Sequence, residues 1–219
     1  MDKIHFSKTD SSIHIDGFPD AVKVIKIDDH PQSERLADLG LHQVDLEFAE
    51  SCMFAINQAP EEPRVIRQAL WRSAIIHFIK CFGANKRFQL NIEEVLSKYR
   101  DGLEVFQYFY NLRNKHFVHD VNSYTQSTIG AILNNGNENY KIDKIINLTF
   151  MGETLEKDNY SNLLLLIQKT KAWVNQEFDN LCKIITIGLE KENYETLSRR
   201  EAIQYKVPGV YEVGKKRIK

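Results

Sequence analysis

The chain has 219 residues, of which 42% are hydrophobic and 27% charged, with a formal net charge of −1. Those proportions suit one globular domain with short additions; they exclude disordered, collagen-like and low-complexity classes, and a uniformly basic nucleic-acid coat. Ten glycines and five prolines make up about 7% of the chain where about 12% is usual, a shortage of chain breakers that points to long helices.

The start, Met1 to Lys8, has no apolar run behind a basic segment and does not read as a signal peptide. The longest wholly apolar run, Leu163 to Ile167, falls far short of the roughly 20 residues a membrane helix needs. Cys52, Cys81 and Cys182 stand far apart, each in a helical apolar pattern, and read as small buried hydrophobes. A soluble cytoplasmic protein without a cofactor is expected.

Residues 1–32 read as a short extended N-terminal arm. In it Ile13 and Ile15, then Val22, Val24 or Ile25 and Ile27, flank the turn-like Gly17-Phe18-Pro19-Asp20. Ser33 is placed to cap a helix to about Gln58, with Leu41, Val44, Phe48, Cys52 and Ala55 on one stripe. After the breaker Ala59-Pro60-Glu61-Glu62-Pro63, a helix from Arg64 to Phe82 is apolar around most of its circumference and should lie centrally. A short helix is predicted around Ile92 to Tyr99. A third long helix starts near Asp101 and runs towards His119, with stripes Leu103, Phe106, Tyr110, Arg113, Phe117 and Val105, Phe109, Leu112, His116, His119.

The period then changes. Residues 121–133 and 140–150 are rich in Thr, Ile, Tyr and Val, and Asn134 to Asn139 between them is a strong turn signal, so a β-hairpin spans about 121–150. Ile142, Lys144, Ile146, Leu148 and Phe150 should share one face. Asp158 caps a last long helix to about Asn193, with Leu163, Leu166, Ile167, Thr170, Trp173, Val174, Phe178, Leu181 and Ile185 inward. Residues 33–193 thus form one helical domain, and 194–219 a basic C-terminal tail. From Arg199 onward seven basic residues face two acidic ones, a balance of +5 that leaves −6 for the rest. The tail reads either as a solvated end or as an arm that attracts phosphate.

Polar chemistry concentrates in Asn111-Leu112-Arg113-Asn114-Lys115-His116-Phe117-Val118-His119-Asp120. A guanidinium on an apolar stripe is costly unless it is paired or lines a groove. At about 100° per residue, Arg113, His116 and His119 would lie within one arc of roughly a third of an α-helix. Such an arc can hold phosphate oxygens bidentately on the Arg and move a proton through a His near neutral pKa.

Leu112 to Asp120 resembles the signature of HEPN domains (higher eukaryotes and prokaryotes nucleotide-binding): an Arg, four to six residues, then a His. Here five residues separate Arg113 from His119, and Asn114 fills the place after the Arg where Asn or Asp is common. Trp71 to Phe82 and Asp101 to Asp120 resemble the two central antiparallel helices of that fold. The Arg-Asn-Lys-His start and the following hairpin are most similar to the abortive-infection type of bacterial HEPN protein. The resemblance covers about residues 33–190.

The resemblance implies a mainly α-helical antiparallel bundle with a β-hairpin insertion, forming a homodimer whose motifs meet in a cleft. It implies a metal-independent endoribonuclease that cleaves RNA by 2′-OH attack, in a defence or toxin–antitoxin role. Arg113 and His119 would be catalytic and Asn114 supporting; Lys115, His116 and Asp120 are further candidates beside them. An antitoxin or a nucleotidyltransferase is the implied protein partner, and no membrane is involved. Many HEPN domains instead only bind nucleotides or serve as scaffolds, which makes a catalytically silent protein of the same fold the alternative. A third possibility keeps Arg113 paired with an acid from a neighbouring helix while both histidines cap a helix end.

His116, His119 and Asp120 could also form a metal cluster, and with His77 and Asp179 mimic a phosphohydrolase of the HD type. Arg113 beside the site disfavours a cation. His77, on a densely apolar helix, reads as a core histidine, and there is no Gly-x-Ser-x-Gly, P-loop or dinucleotide fingerprint.

Overall fold

The computed structural model describes residues 6–8, 13–84, 86–119, 121–204 and 209–215. Among the described residues the chain is mainly helical, with two two-stranded antiparallel sheets, β1–β2 short and β3–β4 longer. In order, the elements are β1 (Phe6–Lys8), β2 (Ile13–Ile15), α1 (Ser33–Gln58), α2 (Arg64–Lys80), α3 (Ile92–Leu96), α4 (Gly102–Asn111), a π-helix (Leu112–Val118), β3 (Thr125–Leu133), β4 (Ile142–Met151), α5 (Lys157–Leu189), α6 (Tyr194–Arg199) and a 3₁₀ turn (Val210–Glu212). No helix among the described residues is long and apolar enough to cross a membrane.

Two compact units divide the chain: residues 38–177, and residues 1–37 with 178–219. In the larger unit α2 and α4 lie antiparallel, as their ring contacts require. Trp71 meets Phe109 at 6.0 Å, while Phe78, farther along α2, and Phe82, just past its end, meet Phe106 at 6.0 and 4.8 Å. These edge-on pairs are nearly solvent-free, and each buried aromatic contributes on the order of 2–3 kcal/mol of transfer free energy. The α1–α5 pair is antiparallel too. Tyr160 Oη donates to the Met53 carbonyl at 2.8 Å, Lys171 Nζ to Glu50 at 2.6 Å, and Gln43 Nε2 to Asn175 at 3.0 Å.

The buried face of α1 differs from the expected stripe. Leu39, His42, Leu46, Ala49, Met53 and Ile56 are inside, whereas Val44 and Phe48 are 60% and 48% exposed. Polar side chains hold this face: Asp38 accepts from the Phe88 N–H at 2.8 Å, and His42 Nε2 lies 2.7 Å from the Phe88 carbonyl. Burial lowers the His42 pKa and keeps the ring neutral. On α2 burial is confined to Trp71 and beyond, and Val65 and Ile66 are exposed, so only the later part of the helix is central. Along α5 the expected inward set is buried except for Trp173 and Phe178, which are half-buried.

β3 and β4 pair from Thr125↔Met151 to Leu133↔Ile142, with one irregularity at Ile132/Leu133. Among the residues expected to share a face, Ile142, Leu148 and Phe150 are exposed and Ile146 is half-buried. The hairpin extends with both faces largely in solvent.

In the smaller unit, the segment after the turn does not pair back on residues 13–15. Gly17 takes φ +83°, Ile15 bridges Phe18, and β2 pairs with β1. Ile25 pairs instead with Ala202, with Lys26 N–H donating to the Glu201 carbonyl at 2.7 Å. The Ser33 hydroxyl donates back to the His30 carbonyl at 2.6 Å. The segment read as the beginning of the tail contains α6, started by Asn193 Oδ1, which accepts from the Thr196 N–H at 2.8 Å. Arg200 is half-buried in pairs with Asp29 and Glu192 rather than offered to phosphate. Lys206, Lys216, Arg217 and Lys219 lie outside the described residues.

Candidate functional site

The segment Leu112–Val118 is a π-helix that continues α4. Hydrogen bonding from i to i+5 widens the turn, and such segments recur at functional sites. The α-helical angles expected for Arg113, His116 and His119 therefore do not apply, and their surroundings part. Arg113 is half-buried, His116 is buried at 8% exposure, and His119 is exposed one residue past the end of the π-helix, at φ −116° and ψ −10°.

Arg113 donates through one guanidinium nitrogen to Asn114 Oδ1 at 2.5 Å. The neighbouring amide thus takes one edge of the fork and leaves the rest of the guanidinium for another acceptor. Among the described residues no carboxylate pairs with Arg113, which leaves the alternative of an acid from a neighbouring helix without support there. Lys115 is exposed, and its carbonyl accepts from the Val121 N–H at 2.8 Å, closing the helix end. Asp120 lies outside the described residues.

His116 belongs to different surroundings. Its ring lies 5.1 Å from Phe117 and 5.5 Å from Tyr124, and it lines a cleft of about 570 Å³. The opposite wall is α2, which contributes Arg64, Gln68 and Arg72 at four-residue spacing. Gly152, Glu153 and Thr154, between β4 and α5, form the floor. Trp71 Nε1 fastens that floor by donating to Thr154 Oγ1 at 3.0 Å in a buried contact, and the Gly152 N–H donates to the Tyr124 carbonyl at 2.7 Å.

Glu153 is the carboxylate of the cleft. Burial works against its ionisation, yet hydrogen bonds from the Leu155 N–H, Gln68 and the Thr154 N–H, together with Arg64 at 3.0 Å, hold its pKa below the ordinary value. Arg72 has no such partner among the described residues. Its guanidinium stands 5.0 Å above the Phe117 ring, and its Nε is buried without a hydrogen-bond acceptor.

A second polar cluster surrounds Asp45 on α1. His77 Nδ1 lies 2.7 Å from its carboxylate, Lys80 Nζ 3.0 Å and an Arg87 guanidinium nitrogen 2.5 Å. His77 is accordingly a half-buried histidine held against the Asp45 carboxylate rather than a residue of the apolar core. Among the described residues no group of three His, Cys, Asp or Glu side chains is placed to hold a metal ion.

The residues that carried the sequence argument are thus not assembled around one point. The π-helix carries Arg113, Asn114, Lys115 and His116, with His119 one residue past its end; Asn114 orients Arg113, and only His116 among them faces a described cavity. Arg64, Gln68, Arg72 and Glu153 were not singled out beforehand. The available signal was a polar row, every fourth residue, on a helix otherwise read as apolar all round. Comparison with known proteins finds no matching family model, no similar curated protein and no similar solved structure.

Proposed function

We propose that the protein is a metal-independent endoribonuclease of the HEPN type, with Arg113 and His119 as its catalytic pair and Asn114 as a positioning residue. The observation that carries this reading is the π-helix itself. It holds the Arg-Asn pair with the guanidinium oriented by Asn114 and releases His119 to solvent at its end. The antiparallel α2–α4 pair and the hairpin directly after the motif agree with the resemblance.

In the proposed reaction, the ribose 2′-oxygen attacks the adjacent phosphorus while His119 serves one of the two proton transfers and water the other, one taking the 2′-OH proton and one protonating the departing 5′-oxygen. The free edge of Arg113 stabilises the added charge on the pentavalent phosphate. The 5′-oxygen leaves, giving a 2′,3′-cyclic phosphate and a 5′-hydroxyl end. DNA is not cleaved because it lacks the attacking hydroxyl. With His119 exposed, a homodimer that brings two motifs together would supply the enclosed cleft that one chain lacks at this residue.

The test is incubation of a mixed RNA pool with purified protein in EDTA, followed by analysis of the ends formed. Cyclic-phosphate ends are expected, with loss of about 10²-fold or more in rate for Arg113→Ala and His119→Ala at unchanged fold. Uncut RNA, or cleavage that survives His119→Ala, rejects the reading. A catalytically silent nucleotide-binding or scaffold protein is the second reading, favoured by the position of His119 outside the described cavities.

A further inference from the structure

We infer that Asn135, at the tip of the β3–β4 hairpin, is a site of self-modification. Its side-chain amide is lost to attack by the Gly136 backbone nitrogen, which converts the residue to aspartate and isoaspartate. The inference stands on the hairpin alone and does not rest on the ribonuclease reading.

The tip, Asn134-Asn135-Gly136-Asn137-Glu138-Asn139, is rich in asparagine, and Asn135-Gly136 is the sole Asn-Gly pair of the chain. Asn135 is exposed and lies outside both strands, so water and hydroxide reach it. Gly136 takes φ +88°, and no heavy atom stands within 4 Å of the place a Cβ would fill, so its nitrogen is unscreened. Its N–H donates no hydrogen bond among the described residues, and none has to be broken to use it. Asn135 Oδ1 accepts from the Asn137 N–H at 3.0 Å, an Asx turn that folds the side chain back over the Gly136 peptide. That N–H also polarises the carbonyl under attack and meets the charge that develops on its oxygen, as an oxyanion hole does. Asn122 supplies the comparison. Its Oδ1 accepts from the Tyr124 N–H at 3.1 Å in the same kind of turn, but it is half-buried and the next residue is Ser123, which has a Cβ.

In the reaction, hydroxide takes the Gly136 N–H proton and the nitrogen's electron pair forms a bond to Asn135 Cγ. The Cγ–Nδ2 bond breaks, and its nitrogen takes a proton from water and leaves as ammonia. A cyclic imide remains, which water opens at either carbonyl. Opening at Cγ gives aspartate. Opening at the main-chain carbonyl gives isoaspartate, in which the chain runs through Cγ and is longer by that carbon. Either product adds a negative charge close to Glu138. Isoaspartate also lengthens the turn that the Asn134 N–H closes on the Lys141 carbonyl at 2.9 Å. With both faces of the hairpin largely in solvent, its register depends on strand pairing and on that turn.

The test incubates the full chain in mildly alkaline buffer and follows every asparagine by peptide mass spectrometry, with isoaspartate distinguished by enzymatic methylation. Asn135 should be converted first, about 10-fold or more faster than Asn122, and faster as pH rises. Gly136→Ala should slow conversion about 10-fold or more, because its Cβ crowds the attack and disfavours the positive φ. Asn135→Gln, which keeps an amide but needs a larger ring, should stay intact. The same chain in urea reads the sequence without the turn, and the folded protein should react at least as fast. Conversion of another asparagine ahead of Asn135, a folded rate well below the unfolded one, or no effect of Gly136→Ala overturns the inference. Limited proteolysis should cut the hairpin faster in converted protein than in fresh protein, while Asn135→Asp, which adds the charge without the extra carbon, should be cut as wild type. Equal cutting of converted and fresh protein overturns the effect on register.

Discussion

Replacing Asp45 by Asn removes one charge from the interior and changes little in shape. Its side chain is 5% exposed and lies 2.7 Å from His77, 3.0 Å from Lys80 and 2.5 Å from Arg87. Loss of one partner from a buried ion pair costs about 3–5 kcal/mol, because the other charge stays desolvated. Two of the three partners escape that fate here: the Lys80 and His77 side chains are 42% and 32% exposed and can turn to water. Arg87, at 15%, cannot. The remaining amide oxygen satisfies one donor, while the new NH₂ faces cations. A loss of about 2–4 kcal/mol at pH 7 is therefore expected, dominated by Arg87. Urea unfolding measures it as a lower midpoint at constant slope.

The pH dependence supplies a sign. Burial alone would favour the neutral acid, but hydrogen bonds from Arg87, Lys80 and His77 outweigh it and hold the Asp45 pKa below its ordinary 3.8. Stability from such a group is fully present above the unfolded-state pKa and is lost as pH falls through the lower folded-state value. The gap between wild type and Asp45→Asn should therefore be equal at about pH 7 and pH 5 and close only at more acid pH. A gap of less than about 0.5 kcal/mol at pH 7, or one that already narrows by pH 5, would refute the reasoning.

Gly102→Ala sets helix propensity against sterics. Alanine in a helix gains up to about 1 kcal/mol, but its Cβ would stand 2.7 Å from the Leu96 carbonyl oxygen, a backbone atom with no rotamer to yield. A net loss of about 1–2 kcal/mol is expected, and a raised melting temperature would contradict it. Among the thiols, burial pushes the Cys81 pKa up to about 12, and its side chain is fully enclosed. At mildly alkaline pH, alkylation of the folded protein should spare Cys81 and begin at half-buried Cys182, with all three reacting in denaturant. A Cys81 adduct found by mass spectrometry before unfolding would contradict this.

Helices were legible where burial follows apolar type. Along α5 the inward residues from Leu163 to Ile185 could be read at 3–4 spacing because nearly all are hydrophobic. The phase of α1 could not, since Asp38, His42, Gln43 and Asp45 are buried and a pattern rule assigns them to solvent. Their partners, Phe88, Arg87, His77 and Lys80, lie 32 to 50 residues away along the chain, except Asn175, at 132. No local window contains that information. The hairpin shows the same limit from the other side. Turn residues and β-branched runs announced two strands, but alternation in sequence does not say whether either face finds a covering layer.

The motif segment combines both limits. A π-helix arises from one residue more per hydrogen-bonded ring than an α-helix holds, and no residue type in Leu112–Val118 announces it. The wider turn departs from the roughly 100° per residue on which the shared arc was built. The two histidines accordingly stand in different surroundings. His116 goes into the cleft beside Arg72, and His119 goes to solvent past the helix end. The histidines are therefore not equivalent: His116 is buried and lines a cavity, while His119 is open to whatever approaches the helix end. A chemistry that needs both Arg113 and His119 then depends on something that encloses that end. A second copy of the motif is the economical candidate, since it brings a guanidinium and an imidazole with it.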